Sequence, residues 1–159
     1  MRSEWEAMGL DFDTRGARVD EAIDVCQRLW TDEVIEHHGT FFDLGPTAFE
    51  PKPVQRPLAL HIGGDGAAAL RRAATVGTGW VPMNHGLGDL PAPVSGLGEL
   101  AQSAGRAEPI EITLGADVAT LDDLAGYART GVTGLIVRPW TSSREAVDGM
   151  RRFADTFLR

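Results

Sequence analysis

The chain has 159 residues, 43% hydrophobic and 24% charged, with a formal net charge of −8 at pH 7. That length and balance suit a single domain with a sizeable core rather than disorder, and the acidity argues against a nucleic-acid partner, whose backbone demands a basic face. No apolar run approaches the roughly 18 residues that span a bilayer, and Met1–Glu6 lacks the apolar core of a secretory signal, so no membrane partner and a cytoplasmic location are expected.

Ser3-x-x-Glu6 has the form of a capping box for a short helix that Gly9 ends. A second helix is expected from about Thr14 to Trp30. Val19, Ala22, Ile23, Cys26, Leu29 and Trp30 fall at the spacing of one buried stripe, with Asp20, Glu21, Asp24 and Arg28 on the wet side. Cys26 is the single cysteine, and its place in the stripe makes it a buried, inert thiol. Val34 to Leu44 reads as two short extended runs around His37-His38-Gly39-Thr40. Adjacent histidines invite a metal, but strand neighbours point to opposite faces and no cysteine or further histidine lies at ligand spacing, so no metal is expected. Three prolines between Phe49 and Pro57 forbid helix and predict an extended crossing segment.

From Leu58 onward a strand–helix unit repeats. The expected strands are Leu58–Ile62, Gly79–Met83, Ile110–Gly115 and Thr133–Arg138. The helices between and after them run over Ala67–Val76, about Val94–Ala104, a segment capped by Thr120-x-x-Asp123 and closed by Gly131, and a terminal helix opened by Ser142-x-x-Glu145. Ala146, Val147, Met150, Phe153, Ala154 and Phe157 share one side of the last. Such alternation predicts an α/β fold with a parallel sheet and right-handed crossovers. Ligands of these sheets sit beyond the carboxyl ends of the strands, here Gly63-Gly64, Asn84-His85, Gly115-Ala116-Asp117 and Arg138-Pro139-Trp140. His85 and Arg138 are therefore candidates for polar contacts to cofactor or substrate, although a plain loop histidine and a surface arginine fit the pattern equally well.

One of those ends organises the chain. Gly63-Gly64-Asp65-Gly66 hands a strand over to a helix beginning Ala67-Ala68, so the backbone can approach a ligand closely while the first amides of the helix point at the same spot. A phosphate suits that turn, and so does a glycine turn that binds nothing. Gly64-x-Gly66-x-x-Ala69 also meets the minimal dinucleotide fingerprint, but the next strand ends in Asn84 and His85 rather than the acidic residue a ribose would need.

The blocks Glu4-Trp5-Glu6-Ala7-Met8-Gly9-Leu10, Arg15-Gly16-Ala17-Arg18-Val19-Asp20-Glu21-Ala22 and Leu29-Trp30-Thr31 resemble the middle of the bacterial luciferase-like monooxygenases. So do Gly39-Thr40-Phe41-Phe42, Pro51-Lys52-Pro53-Val54-Gln55-Arg56-Pro57, Ile62-Gly63-Gly64, and Ala68-Ala69-Leu70-Arg71-Arg72-Ala73-Ala74 with Gly77-Thr78-Gly79-Trp80. Their order and spacing cover residues 4 to 83, and the later units fit the family's closing βα pairs.

The resemblance implies an oxidoreductase with a small-molecule substrate, built on a (β/α)8 barrel that binds FMN or the deazaflavin coenzyme F420. The family's phosphate-binding turn matches Gly63, Gly64, Asp65, Gly66, Ala67 and Ala68, and Ser3 matches a position that can contact the cofactor; capping explains Ser3 equally well. A full barrel needs about 250 residues, so residues 1–159 are expected to form a single partial domain, the carboxyl-terminal half of the barrel. The residues that contact the flavin ring and move protons come mainly from the other half, so no catalytic set carries over. The expected partner is a second copy or a separate amino-terminal half. A non-catalytic half-barrel, serving as a binding module or left as a remnant, remains the alternative.

Overall fold

A computed structural model describes residues 1–118 and 120–158. The chain divides into two compact units, Met1–Leu58 and Ala59–Arg159.

The first unit contains α1 (Arg2–Ala7), a 3₁₀ turn (Phe12–Thr14), α2 (Arg15–Thr31) and the antiparallel hairpin β1 (Ile35–His38) and β2 (Asp43–Thr47). Met1 takes the cap position of α1, which places Ser3 inside the first turn and rules out the expected Ser3–Glu6 box. The guanidinium groups of Arg2 and Arg15 lie 4.5 and 4.0 Å from the Phe12 ring centroid, and the Trp5 ring meets Phe12 edge-on. These cation–π contacts tie α1, the turn and α2 together, at about 0.5–1 kcal/mol each for exposed pairs.

In α2 the buried position is Val25, whereas Val19, assigned to the stripe, is exposed. Glu21, expected on the wet side, turns inward. Its carboxylate accepts from the backbone N–H groups of Thr40, Phe41 and Phe42 and lies 3.0 Å from His37 Nε2. The hairpin tip leaves those amides without ladder partners, and the helix supplies the acceptor they need. A Cβ on Gly39 would lie 2.6 Å from Glu21 Cδ, so glycine is what lets the tip close over the carboxylate. Burial opposes the charge on Glu21, but bonds from His37, Phe42 and Phe41 outweigh it and hold the carboxyl below its ordinary value of 4.5. The stabilisation is therefore complete above that ordinary value and is lost as pH falls through the lower folded value. Replacing Glu21 with glutamine is expected to lower the melting temperature by several degrees at pH 7 and to flatten its decline between about pH 5 and 3, measured by calorimetry across that range.

Lys52 serves the other end of α2. Its Nζ donates to the carbonyls of Leu29 and Asp32 at 3.0 and 2.6 Å, where the helix leaves carbonyls unpaired and its dipole favours a cation. The segment from Phe49 to Pro57 is free of helix as its prolines predict, but it bends at 50–51 and 54–57 instead of running extended, and this lysine pins it.

The second unit alternates β3 (His61–Gly63), α3 (Ala67–Thr75), β4 (Gly79–Val81), α4 (Pro91–Ser103), β5 (Glu111–Ala116), α5 (Leu121–Arg129), β6 (Gly134–Val137) and, after a 3₁₀ turn at Ser143–Glu145, α6 (Ala146–Phe157). The strands form a parallel sheet in the order β3-β4-β5-β6. The first strand is shorter than Leu58–Ile62. Leu60 spends its amide on Thr78 Oγ1 and its carbonyl on Thr78 and Gly79, which anchors the approach to the turn before β4 and delays the ladder to His61.

The register partners Ile62, Trp80 and Ile112 form one buried row, continued by Leu114. The opposite face carries His61, Gly79, Glu111, Thr113, Gly134 and Ile136, and Ile136 is 61% exposed. On it His61 Nε2 and Glu111 Oε2 meet at 3.0 Å across Gly79, whose missing side chain makes room for the imidazole.

Thr120 and Asp123 close the capping box expected for α5, and Gly131 follows with φ +88°. Ser142 caps only the 3₁₀ turn, because Glu145 accepts from Thr141 Oγ1 instead of completing a second box. On α6 the buried position is Gly149, while Val147 and Met150 are exposed.

Candidate functional site

The glycine turn joins β3 to α3 as the sequence predicts. Gly64 has φ +111°, a left-handed geometry that asks for glycine. Gly63 and Gly66 have no such need: neither has a positive φ, and an added Cβ at either would meet nothing within 4 Å. Neither turn geometry nor packing within the chain requires glycine at these two positions. Gly66 is the cap residue of α3 and brings no side chain to its amides, and Gly63, Gly66, Ala67 and Ala68 are exposed.

The turn is braced by β4 and the loop after it. Gly64 donates its N–H to the Val81 carbonyl at 3.2 Å, and buried Trp80 donates Nε1–H to the Gly64 carbonyl at 2.8 Å. Asp65 turns away from the α3 amides toward the chain, accepting from Met83 N–H at 2.9 Å and Asn84 Nδ2 at 2.7 Å. Burial opposes its charge, but those bonds and the nearby His85 hold the carboxyl below its ordinary value. His85 stands between two carboxylates, with Nε2 3.6 Å from Asp65 Oδ1 and Nδ1 2.8 Å from Asp89 Oδ2. The bond from His85, with one from the Gly86 amide, lowers Asp89 as well. Replacing Asp65 with alanine would leave the Met83 amide and Asn84 without their acceptor. The expected loss is about 1–3 kcal/mol, with faster hydrogen exchange at Met83.

The remaining candidates are Arg138 and Ser3. Arg138 follows β6, is exposed, and lines a cleft of about 340 Å³ with Asp117, Asp123 and Pro139. Ser3 belongs to the first unit, on α1, where it is exposed. Sequence reasoning missed the bracing roles of Trp80 and Asp65. The signal lay in the Gly79-Trp80 pair, whose tryptophan nitrogen needs a partner once buried. Among the described residues no group of three or more His, Cys, Asp or Glu is arranged to hold a metal, and no helix is long and apolar enough to cross a membrane.

An uncharacterised protein of Mycobacterium tuberculosis is 38% identical to this chain over 138 residues, 84% of this chain and 46% of that protein. The F420-dependent glucose-6-phosphate dehydrogenase of Segniliparus rotundus and the FMNH₂-dependent dimethylsulfone monooxygenase of Pseudomonas putida are each 28% identical, over 70% of this chain and 36% and 32% of their own lengths. The chain therefore spans less than half the length of these relatives. The crystal structure of the monooxygenase RslO1 from Streptomyces bottropensis superposes with a TM-score of 0.60 at 23% identity, covering 98% of this chain and 46% of that one, which shows a shared fold. The family model of the luciferase-like monooxygenases matches residues 2–154, and the chain belongs to that family.

Proposed function

We propose that the chain is part of an oxidoreductase that uses coenzyme F420 or FMN on a small-molecule substrate, and that Gly63, Gly64, Gly66, Ala67 and Ala68 hold the phosphate end of the cofactor. The observation that carries this is the pair Gly63 and Gly66, glycines with ordinary backbone angles and open space where a Cβ would stand. Residues of that kind at the amino end of α3 suit close approach of an anion to free amides. Asp65, Trp80 and His85 act as positioning residues that keep the turn in shape, and Arg138 and Ser3 are candidates for further polar contacts. When bound, the cofactor supplies hydride transfer or, in its flavin form, oxygen activation. The chain's own contribution is to orient its phosphate and exclude water from that end.

Strand order supports a barrel. With crossovers of one hand, an order that never reverses puts every helix on one side of the sheet, as in one half of a (β/α)8 barrel rather than a doubly wound sheet. The face bearing exposed Ile136 would then be the barrel interior, covered by a second copy of this chain or by a separate amino-terminal half. Sedimentation at micromolar concentration is expected to show a species larger than a monomer; a compact monomer that binds no apolar dye would remove this part.

The cofactor assignment is tested by titrating F420 and FMN into the parent chain and into Gly66→Val. The substitution puts bulk where the phosphate would lie, in a backbone geometry that valine accepts. One of the two cofactors is expected to bind the parent, with affinity falling at least about tenfold in the variant while the melting temperature stays within a few degrees. Equal affinities, or a parent that binds neither cofactor, would overturn the assignment.

A further inference from the structure

Resting on the reading that the glycine turn holds the phosphate end of the cofactor, we propose that His85 is the proton-sensitive counter-charge of that turn. As the imidazolium it offsets the Asp65 carboxylate and lets the anion bind; as the neutral imidazole it does not, so anion affinity falls as pH rises.

Asp65 poses the problem. It lies between Gly64 and Gly66, just before the first amides of α3, and chain geometry alone keeps its carboxylate within about 10 Å of an anion held there. That distance is comparable to the Debye length of about 8 Å at physiological salt, and the side chain is only 21% exposed, so solvent screens only part of the repulsion. The carboxylate is turned onto the Met83 amide and Asn84 Nδ2, which satisfies its oxygens without removing its charge. Neither donor is a cation.

His85 is placed to supply the missing charge. Its side chain is as covered as that of Asp65, with Nε2 3.6 Å from Asp65 Oδ1 and Nδ1 2.8 Å from Asp89 Oδ2. An ionised carboxylate only accepts, and a neutral imidazole carries a single N–H, so both contacts are favourable only when both ring nitrogens carry protons. The shorter, hydrogen-bonded contact with Asp89 retains the one proton of the neutral ring, which leaves the Nε2 lone pair facing Asp65. Loss of the second proton is therefore felt at the turn. β4 adds no charge here: it contributes the Trp80 ring, with centroids 6.0 Å apart. Against the opposing effect of burial, bonds from Met83 and Asn84 hold the Asp65 carboxyl below its ordinary value, and the bond from His85 does the same for Asp89. Both acids thus stay ionised in the range, about pH 5 to 8, where an imidazole ordinarily changes charge.

Calorimetric titration of the whole chain with F420 and with FMN, at about pH 5.5 and about pH 8.5, tests the proposal on the parent, His85→Gln and Asp65→Asn, with melting temperatures showing that each is folded at both. The ionisation of the probe is common to all three chains, so the ratio of parent to variant affinity is what is read. For a cofactor that binds, His85→Gln is expected to bind at least about threefold more weakly than the parent at the lower pH and equally at the higher. Asp65→Asn keeps an acceptor for the Met83 amide but has no charge, and is expected to bind at least about threefold more tightly than the parent at the higher pH. A purely structural role for Asp65 would give weaker binding at both. A His85→Gln ratio that does not change with pH, or Asp65→Asn binding no tighter than the parent at the higher pH, overturns the proposal, while weaker binding by Gly66→Val leaves the cofactor assignment standing. A parent that binds neither cofactor at either pH overturns both.

Discussion

Truncating Trp80 to alanine is expected to cost about 3–5 kcal/mol, a large share of the 5–15 kcal/mol that holds an ordinary domain together. Trp80 is fully buried, in the row where Ile62 and Ile112 are its register partners, so the truncation opens a cavity in the middle of the sheet. It also removes the N–H that donates to the Gly64 carbonyl at 2.8 Å, so the damage reaches the glycine turn. The two effects separate with Trp80→Phe, which keeps most of the apolar contact and loses the hydrogen bond; that variant should cost nearer 1–3 kcal/mol. Urea denaturation measures both, and cofactor titration of the phenylalanine variant, which stays folded, reads the turn alone. A loss below 1 kcal/mol for Trp80→Ala would mean that the row is not the core of this unit.

What the sequence disclosed was whatever is encoded within a few residues. The Thr120–Asp123 box is legible because both partners lie in one turn, and Gly131 because a helix end and a left-handed residue coincide. The glycine turn is legible for the same reason. Glu21 was not, because helical spacing separates apolar from polar and cannot tell that the wet side of α2 receives a hairpin tip bringing Thr40, Phe41 and Phe42. The bracing role of Asp65 was not legible either, since the donors it serves, Met83 and Asn84, come from the next strand–helix unit. Leu58–Leu60 has the composition of a strand, yet Leu60 gives its amide to the Thr78 side chain and its carbonyl to the Thr78 and Gly79 amides, and the ladder starts only at His61. On α6 the apolar stripe named Val147 and Met150, and the structure buries Gly149 instead, because a close crossing of backbone on backbone selects the smallest residue rather than the most hydrophobic one.

That crossing supports a second large effect, opposite in sign to what helix propensity alone would give. In a free helix, replacing an interior glycine with alanine gains about 0.8–1 kcal/mol. At Gly149 the added methyl would fall against the Pro139 carbonyl oxygen, and its nearest side-chain neighbour would be Trp140 Cβ at 3.1 Å. The obstruction is mainly backbone, which no rotamer change relieves, so α6 must shift outward. Overpacking of this kind costs typically about 1–3 kcal/mol, and the loss should outweigh the gain in propensity. Gly149→Ala is thus expected to lower the melting temperature by several degrees, and Gly149→Val by more, while Gly98→Ala on α4, where an added Cβ meets nothing within 4 Å, should raise it slightly. A Gly149→Ala chain as stable as the parent would show that the helix is free to slide over Pro139 and Trp140.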